Sequence, residues 1–565
     1  MTEIVIALSA MFVTAGVLLL VANYFDLSPI PFYIIAGLLT GTFIDQAALI
    51  ELAQWGIAFL VFVFGIRIEF SDIQSVLRDS EVAAFTQLLI VGTTALGIGY
   101  GFGIFFGLAD PFRNAIYFSA AATLSSTIVG SKVLEGEIRD NLVHGRLASS
   151  IHFFDDMVAI GVVLVLSAET LADIQLITSN IGYGVLFLLV GLFLYRHGFP
   201  LLVRVAEGFD ELILMGSISI LIAFLAAAEV VGISIVVGAF AAGIAIRTEG
   251  AEALGVQNGI QSIRDFFVTI FFVTVGALVQ IPTTETLMLA AALLVLVLFV
   301  RPLLHILAFL YEGYDTRTAY LASSSLNQMS ELSLVIAIQA WILGTISTRL
   351  FDAIILAAAV TMILTVVTKR YEDEIYETFI ANVFSRRQTR HIDEHSHVED
   401  GLNGHVVVVG YGRQGRLIVE KLEELGRPYV VVDNDPVLRE KLQTECSNYV
   451  FGDAIADYPM GKAQVKDAHL IISTVKHQNF SESILERRTN AEMILRADTS
   501  LEAQELLDAG AFFVTVPNVL GSEQLVECVE RVAENEKEMI PLRSDHLDTI
   551  RTLERRGFTT QFDQG

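Results

Sequence analysis

The sequence predicts a polytopic α-helical membrane protein with about thirteen transmembrane helices, followed by a C-terminal α/β domain of the Rossmann type. Hydrophobic residues make up 53% of the 565 residues, and the mean hydropathy is +0.60, values that soluble globular domains do not reach. This apolar character ends near Val367, where the charged stretch TKRYEDEIYETF begins. The residues beyond it have the composition of an ordinary globular domain, so the chain divides into a membrane part and a soluble part.

The change in composition also gives the expected domain boundaries. We expect a transmembrane domain over residues 1–370, a cytoplasmic linker over 371–403, a nucleotide-binding lobe over 404–545 and a C-terminal tail over 546–565. The net charge of −27, with no basic face, argues against nucleic acid as a partner. The histidine-containing linker is expected to be solvated and to hold no metal.

Thirteen apolar segments of about spanning length follow one another in the membrane part. Their centres lie near residues 13, 37, 58, 95, 122, 155, 188, 220, 239, 271, 297, 328 and 360. The first segment lacks a basic leader and a small-residue cleavage site, so it is expected to be a membrane helix. If the soluble domain is cytoplasmic, the inner loops hold ten Lys and Arg residues, whereas the outer loops hold only Arg113 and Arg349. This bias supports both the number of spans and the orientation.

Two of the segments, the fifth and the twelfth, contain polar residues within apolar runs: AATLSSTIVG and SSSLNQMSELSL. Such a pair is typical of inverted repeats whose broken helices cross at the membrane midplane, where polar backbone can line an ion site. The alternative is that the hydroxyl groups only hold helices together. Ser125, Ser126 and Thr127 of the fifth segment can supply oxygen ligands for a hard cation. The expected crossover residues of the twelfth segment are Asn327, Gln328 and Ser330.

The sixth segment places two adjacent carboxylates, Asp155 and Asp156, in the apolar stretch 142–168. A charge near the bilayer centre costs about 2.5 to 3.5 kcal/mol, so helix packing alone does not account for two of them. Adjacent helical residues point about 100° apart, so one carboxylate can face a cavity while the other faces a neighbouring helix. A carboxylate in such a site can hold a proton or a monovalent cation. Exchange of the two needs no covalent chemistry, which predicts a transporter and not an enzyme.

Arg301 is the only basic residue placed inside a predicted span, in VLVLFVRPLLHILAF. Such a charge normally pairs with an intramembrane acid, and the candidate partners are Asp155, Asp156 and Glu331. The alternative is a guanidinium that reaches the membrane surface along its aliphatic stem. Because arginine stays protonated in proteins, the proton carrier must be a carboxylate.

Six stretches resemble, in order, the motifs of the monovalent cation:proton antiporter superfamily, in the branch that contains the Kef-type potassium efflux systems. They are LVFVFGIRIEFSDI, LSSTIVGSKVL, FDDMVAI, AEVVGISIVVGAFAAGIAI, FFVTIFFVTVGALVQI and NQMSELSLVI. The resemblance covers nearly the whole chain. It implies a homodimer with a dimerisation domain and a mobile core domain, in which the cation binds at Asp156.

The resemblance leaves two cations open. Kef-type proteins usually carry Gln-Asp where this chain has Asp155 and Asp156, whereas a double aspartate resembles the electrogenic sodium/proton antiporters of the wider family. Those relatives commonly have Lys where Arg301 falls. The attached soluble domain favours K+, and the double aspartate favours Na+.

The soluble part begins with HVVVVGYGRQGRLIVEKLEELGRPYVVVDNDP, which predicts a strand, a glycine turn, a helix and a second strand. A G-x-G-x-x-G turn in this context, with an acid ending the second strand, is the dinucleotide-binding pattern. The glycines let the backbone approach a phosphate at the helix N-terminus, and the acid accepts hydrogen bonds from ribose hydroxyls. An unphosphorylated ribose, as in NAD(H) or AMP, is therefore expected. The predicted nucleotide-binding residues are Gly410, Gly412, Arg413, Gln414, Gly415, Asp433 and Asp453.

Four later stretches, YVFGDA, AHLIISTV, MILRADT and FFVTVPN, are expected to be further strands. This part resembles the N-terminal Rossmann lobe of the regulator-of-potassium-conductance (RCK/TrkA-N) domain found behind Kef-type antiporters. The resemblance implies a regulatory nucleotide ligand and not a dehydrogenase reaction. A ligand-gated cation channel is a distant alternative, since VTVGAL at 273–278 lacks the tyrosine of a TVGYG filter and lies in a continuous span.

The sequence as a whole thus predicts a homodimeric cation:proton antiporter of the plasma membrane, with K+ placed before Na+. Its soluble lobe is expected on the cytoplasmic side. An adenine nucleotide bound to that lobe is expected to set the transport activity.

Overall fold

The structure is a computed structural model that describes most of the chain. The described residues are 2–25, 27–41, 46–66, 80–139, 142–166, 174–206, 209–246, 254–381, 383, 392–475, 478–485, 487, 489–534, 541–544 and 546–547. Nearly all of the predicted tail and part of the predicted linker lie outside them. The chain divides into two compact units. One comprises Met1–Ile138, His144–Ala308 and Tyr320–Glu374, and the other comprises Arg139–Val143, Phe309–Ala319 and Ile375–Gly565.

The membrane part is built from helices. They are α1 (Thr2–Tyr24), α2 (Pro29–Thr40), α3 (Gln46–Ile66), α4 (Glu81–Phe105), α5 (Pro111–Thr123), α6 (Thr127–Val133), α7 (Glu135–Arg139), α8 (Val143–Leu166), α9 (Ile174–Phe193), α10 (Phe199–Ala206), α11 (Asp210–Val231), α12 (Ile235–Ile244), α13 (Leu254–Leu278), α14 (Thr284–Glu312), α15 (Thr316–Ser324), α16 (Glu331–Ile342), α17 (Thr348–Arg370) and α18 (Glu372–Ile375). A π-helical turn over Gln87–Val91 interrupts the regular hydrogen bonding of α4.

Within the described residues, six helices are long and apolar enough to cross a membrane, and five shorter apolar helices accompany them. The six are Leu49–Ile66, Glu81–Phe105, Ser179–Ala206, Glu211–Val231, Thr284–Glu312 and Thr348–Arg370. All thirteen predicted centres fall in helices except residue 328, which lies in the break before α16. The prediction of a polytopic helical membrane protein is confirmed.

The fifth and the twelfth predicted spans are each interrupted by non-helical backbone. Residues 124–126 separate α5 from α6, and residues 325–330 separate α15 from α16. The two breaks cross, because Ser125 forms an isolated antiparallel bridge with Met329. Both residues are completely buried, as irregular backbone at membrane depth must be. The predicted crossing of two broken helices is therefore present.

The second unit contains a six-stranded sheet in which every pairing is parallel. The strands are β1 (Val406–Val409), β2 (Tyr429–Asp433), β3 (Tyr449–Phe451), β4 (Leu470–Ser473), β5 (Glu492–Arg496) and β6 (Phe513–Thr515). The accompanying helices are α19 (Arg413–Glu424), α20 (Arg439–Glu445), α21 (Asp457–Lys462), α22 (Gln478–Leu485), α23 (Ser500–Asp508) and α24 (Pro517–Glu534).

The spatial order of the strands is β3-β2-β1-β4-β5-β6. The winding direction reverses between β1 and β4, and sheets of this kind bind ligands at the carboxyl ends of the strands beside such a reversal. β1 is buried along its whole length, as a parallel strand covered on both faces must be. The predicted Rossmann-type lobe is confirmed, including its four later strands.

Candidate ion site and nucleotide site

The two predicted carboxylates lie on α8, beside the crossing of the broken helices. Asp155 and Asp156 are only 1% and 4% exposed. Each accepts a hydrogen bond from a residue at or next to the break between α5 and α6, namely Ser125 and Thr127. The acid pair and the crossing therefore form one site, although they come from different predicted spans.

Asp155 is held by three donors. Its Oδ2 accepts hydrogen bonds from the amide and the hydroxyl of Ser125, at 2.8 and 2.5 Å. Its Oδ1 accepts one from Nε2 of Gln87 at 2.5 Å. Three donors on two oxygens fix the orientation of a carboxylate, so Asp155 ties α8 to the break and to α4.

Asp156 faces a different neighbour. Its Oδ2 accepts a hydrogen bond from the Thr127 hydroxyl at 2.7 Å, at the first residue of α6. A hydroxyl that donates to one group still has lone pairs for a cation. Of the three predicted oxygen ligands, Ser125 and Thr127 donate to the two carboxylates. The Ser126 hydroxyl instead caps α6, where it accepts from the amide of Val129 at 3.2 Å.

Arg301 is completely buried on α14, which contradicts the alternative of a guanidinium at the membrane surface. Among the described residues, its hydrogen bonds go to carbonyl oxygens at the end of α5 and in the break that follows α15, and not to a carboxylate. Its charge still interacts with Asp155. The carbonyl C-terminal end of a helix is partially negative, so the arginine stabilises both broken helices at once. The acceptors are the carbonyls of Ala122 (3.3 Å), Thr123 (3.3 Å), Leu124 (3.2 Å), Leu326 and Gln328 (2.8 Å).

The other predicted crossover residues connect the two breaks. Oε1 of Glu331 accepts from the amide of Ile128 at 3.0 Å, which places an acid at the N-terminus of α6, where it is favourable. Nε2 of Gln328 donates to the Ser126 carbonyl at 3.1 Å, and the Ser330 hydroxyl caps α16. Asn327 is half-buried, and its Oδ1 has no hydrogen-bond partner among the described residues.

The structure adds one residue, Gln87, that sequence reasoning missed. Gln87 is completely buried in the π-helical turn of α4, and such turns are frequent at functional sites. An amide in the apolar stretch EVAAFTQLLIVG was the available signal. Nδ1 of His152 lies 3.0 Å from the Ser125 hydroxyl, and a Cβ on Gly130 would lie only 2.0 Å from its Nε2. This histidine is therefore packed into the break.

The glycine turn of the soluble lobe connects β1 to α19. Gly410 has φ of 91°, a conformation that favours glycine. A Cβ on Gly415 would lie 1.9 Å from the Gly410 carbonyl oxygen, so any residue larger than glycine at position 415 would clash with the turn. At Gly412, the residue before α19, a Cβ would meet no atom within 4 Å. This open space in front of a twelve-residue helix fits a phosphate group.

The remaining predicted nucleotide residues lie around this turn. Asp433 ends β2, and its Oδ2 accepts from the Tyr411 amide at 2.6 Å, so it braces the glycine turn. Asp453 follows β3, and its Oδ1 accepts from the amide of Ile455 at 3.0 Å. Gln414 accepts from Nη1 of Arg496 at 3.1 Å, and Arg413 is exposed. The glycines and the two acids thus lie at the carboxyl ends of the first three strands, and their binding of a nucleotide stays a prediction.

Comparison with known proteins gives two family matches. Residues 7–370 match the family described as sodium/hydrogen exchanger, transmembrane, and residues 406–517 match the TrkA-N domain.

Individual relatives are more distant. The proposed K(+) efflux antiporter KefB of Alkalimonas amylolytica is 26% identical over 504 residues, which cover 85% of this chain and 74% of that protein. The proposed cation/proton antiporter YbaL of Escherichia coli (strain K12) is 24% identical over 526 residues, or 88% of this chain and 92% of that protein. The solved structure of the sodium proton antiporter MjNhaP1 from Methanocaldococcus jannaschii at pH 8 is 16% identical, covering 67% of this chain and 99% of its own, with a TM-score of 0.46.

The resemblance that the motifs predicted is confirmed by the two family matches and by the two antiporter relatives. The exchanger family accounts for more than half of the 565 residues, and the TrkA-N match covers the six strands. The chain belongs to the sodium/hydrogen exchanger family and carries a TrkA-N domain on the C-terminal side of its membrane part.

Proposed function

We propose that the protein is a secondary antiporter that exchanges protons for a monovalent cation, with Asp156 as the exchange site. The observation that carries this proposal is the pair of buried carboxylates at the crossing of two broken helices. Irregular backbone at membrane depth is typical of the ion sites of secondary transporters. Antiport results when Asp156 binds the cation and the proton in turn and the loaded site can face either side.

The two carboxylates have different roles in this proposal. The donors on Asp155, from Gln87 and Ser125, make it a positioning residue that fixes α8 against the break. Asp156 and the Thr127 hydroxyl offer the oxygen atoms that a hard cation prefers. Arg301 holds the helix ends together and carries no proton.

We propose K+ as the preferred cation. The TrkA-N domain and the similarity to a protein described as a K(+) efflux antiporter support K+. The double aspartate supports the second candidate, an Na+/H+ antiporter of the same fold that moves net charge in each cycle.

Reconstitution into liposomes distinguishes these candidates. A K+ or Na+ gradient is imposed across liposomes that contain a pH-sensitive dye, with and without a membrane potential set by an ionophore for a third ion. K+-driven pH change larger than Na+-driven change supports the first candidate. Preference for Na+, with a rate that follows the imposed potential, supports the second, and no pH change with either cation would contradict antiport.

We further propose that an adenine nucleotide, NAD(H) or AMP, binds the glycine turn and sets the transport rate. The open space at Gly412 and the position of Asp433 at the end of β2 support this ligand class. The protein then acts as a transporter with a sensor lobe and not as an enzyme. We propose a homodimer in the plasma membrane, with the lobe on the cytoplasmic side, which agrees with the Lys and Arg bias of the loops.

Gln87→Leu is expected to slow transport roughly 10- to 100-fold, because a hydrogen bond to a charged group contributes about 1.5 to 3 kcal/mol. Without the amide, Asp155 loses one of the donors that hold α8 in place. The rate is measured as cation-driven pH change in liposomes. Thr93→Val is the control, since Thr93 lies on the same helix but is exposed and donates to the Leu89 carbonyl. An unchanged rate in Gln87→Leu would show that Asp155 does not depend on this donor.

A further inference from the structure

The turn between α14 and α15 belongs to the same compact unit as the Rossmann lobe. We define the Asp315 turn as residues Asp315–Thr318. Asp315 caps α15, because its Oδ1 accepts hydrogen bonds from the amides of Arg317 and Thr318, both at 3.0 Å. Asp315, Thr316 and Thr318 are at most 5% exposed. The turn is therefore a fixed, buried element and not a solvated loop.

Side chains of this turn contact two residues at the edge of the sheet. Nδ2 of Asn434 donates to the Thr318 hydroxyl at 3.0 Å and lies 3.4 Å from Oδ2 of Asp315. Nη1 of Arg317 lies 3.7 Å from Oδ2 of Asp453, with both side chains about one-eighth exposed or less. An ion pair with little solvent exposure is screened less than a surface pair, so these contacts hold the turn against the lobe.

The same edge is the proposed nucleotide site. Asn434 directly follows Asp433, the predicted ribose ligand, and Asp453 is itself a predicted ligand residue. Both follow the carboxyl ends of neighbouring parallel strands, β2 and β3, where the adenosine half of a nucleotide binds in this fold. A nucleotide whose ribose hydroxyls donate hydrogen bonds to Asp433 and Asp453 must share the Asp453 carboxylate with Arg317 of the turn and must lie beside Asn434, which the turn also contacts.

We propose that Asn434 and Asp453 form a binding surface for the Asp315 turn, and that an adenine nucleotide weakens this contact by competing for the same edge. This inference rests on the proposed nucleotide binding. α15 begins in the turn and leads directly into the 325–330 break. Release of the turn frees the N-terminal end of α15. The break that follows α15 contains the carbonyls of Leu326 and Gln328, which accept hydrogen bonds from Arg301.

The competition has a thermodynamic consequence that can be measured. If the nucleotide weakens the contact between the turn and the lobe, this contact must weaken nucleotide binding by the same factor. Arg317→Gln and Thr318→Val remove contacts from the side of the turn and leave the residues of the lobe intact. Both are expected to tighten nucleotide binding, by about 5- to 10-fold, which is within the usual range of coupling between sites.

The test is calorimetric titration of NADH and of AMP into the full-length protein, followed by transport with and without the nucleotide. The variants are expected to bind the nucleotide more tightly. Without nucleotide, they are expected to transport at close to the rate of the nucleotide-bound wild type, because the turn contact is already weakened, and their rate should change less when nucleotide is added. Lys462→Gln is the matched control, because it removes an ion pair of the lobe, with Asp393 at 2.5 Å, that involves neither the turn nor Asp453. Wild-type affinity in both turn variants would overturn the inference alone. Absence of nucleotide binding to the wild-type protein would overturn the sensor function together with it.

The contact is also expected to depend on pH. Burial raises the pKa of Asp315 to about 6, and the neighbouring Asp453 carboxylate adds to this effect. The hydrogen bonds from Thr318 and the charge of Arg317 lower the pKa, but by less. A raised carboxyl pKa means that the docked turn binds a proton more tightly than the released turn, so docking strengthens as pH falls through about 6. Nucleotide affinity of the wild-type protein should therefore fall between pH 7.5 and 5.5. Asp315→Asn keeps the helix cap and should remove this dependence; an unchanged pH profile would contradict the role of Asp315.

Discussion

Asp156→Asn is expected to reduce cation-driven proton movement in liposomes to the level of liposomes without protein. Asparagine has nearly the same shape and can still accept a hydrogen bond from the Thr127 hydroxyl, but it neither releases a proton nor carries a negative charge. The change therefore removes the exchange chemistry while leaving the packing of α8. The measurement is the rate of internal pH change under a K+ or Na+ gradient, at equal amounts of incorporated protein.

A second buried acid provides the control for this variant. Asp352 lies on α17, is 3% exposed and accepts from the amide of Gln280 at 3.3 Å, so its hydrogen bond joins α17 to the segment after α13 and not to the crossing of the broken helices. Asp352→Asn should keep substantial transport. An equal loss of transport in both variants would mean that removal of any buried charge abolishes transport. A wild-type transport rate in Asp156→Asn would rule out Asp156 as the exchange site.

Gly412→Asp is expected to weaken nucleotide binding by at least about 100-fold, or about 3 kcal/mol. The backbone at Gly412 has φ of −68°, and a Cβ there meets no atom within 4 Å, so the lobe should fold normally. The new carboxylate would occupy the space in front of α19 and repel a phosphate from the helix N-terminus. Binding is measured by titration calorimetry with NADH and AMP.

The control for Gly412→Asp places the same charge elsewhere in the lobe. Gly461 lies on α21, and a Cβ there also meets no atom within 4 Å. Gly461→Asp should bind nucleotide as the wild type does. Loss of binding in both variants would indicate a general effect of charge. Retained binding in Gly412→Asp would show that the nucleotide does not bind at the glycine turn.

Hydropathy and glycine patterns predict most of this fold for a physical reason. A membrane helix must be apolar over its whole length, and a phosphate-binding turn needs glycines at fixed spacing, so both leave local signatures. The breaks around Ser125 and Gln328 are visible in the same way, because polar residues there interrupt apolar runs. Asp155 and Asp156 stand out because charge inside a span is costly.

The partners of these residues are not local, and the sequence does not reveal them. Arg301 was expected to pair with a carboxylate, yet its hydrogen bonds go to carbonyls of two breaks that lie far apart in the chain. Backbone acceptors carry no residue type, so no sequence pattern marks them. Sequence patterns do not predict Gln87 and the Asp315 turn for a related reason: their hydrogen bonds are with Asp155 and Asn434, which are distant in sequence.

Proton release on cation binding tests competition at Asp156 most directly. Purified protein in weakly buffered detergent solution is titrated with K+ or Na+ while a pH-sensitive dye reports the free proton concentration. Wild-type protein should release protons as the cation binds, with an apparent cation affinity that falls as the starting pH is lowered, and Asp156→Asn should release none. Cation binding to the wild type without proton release, or undiminished release from Asp156→Asn, would contradict exchange at this carboxylate.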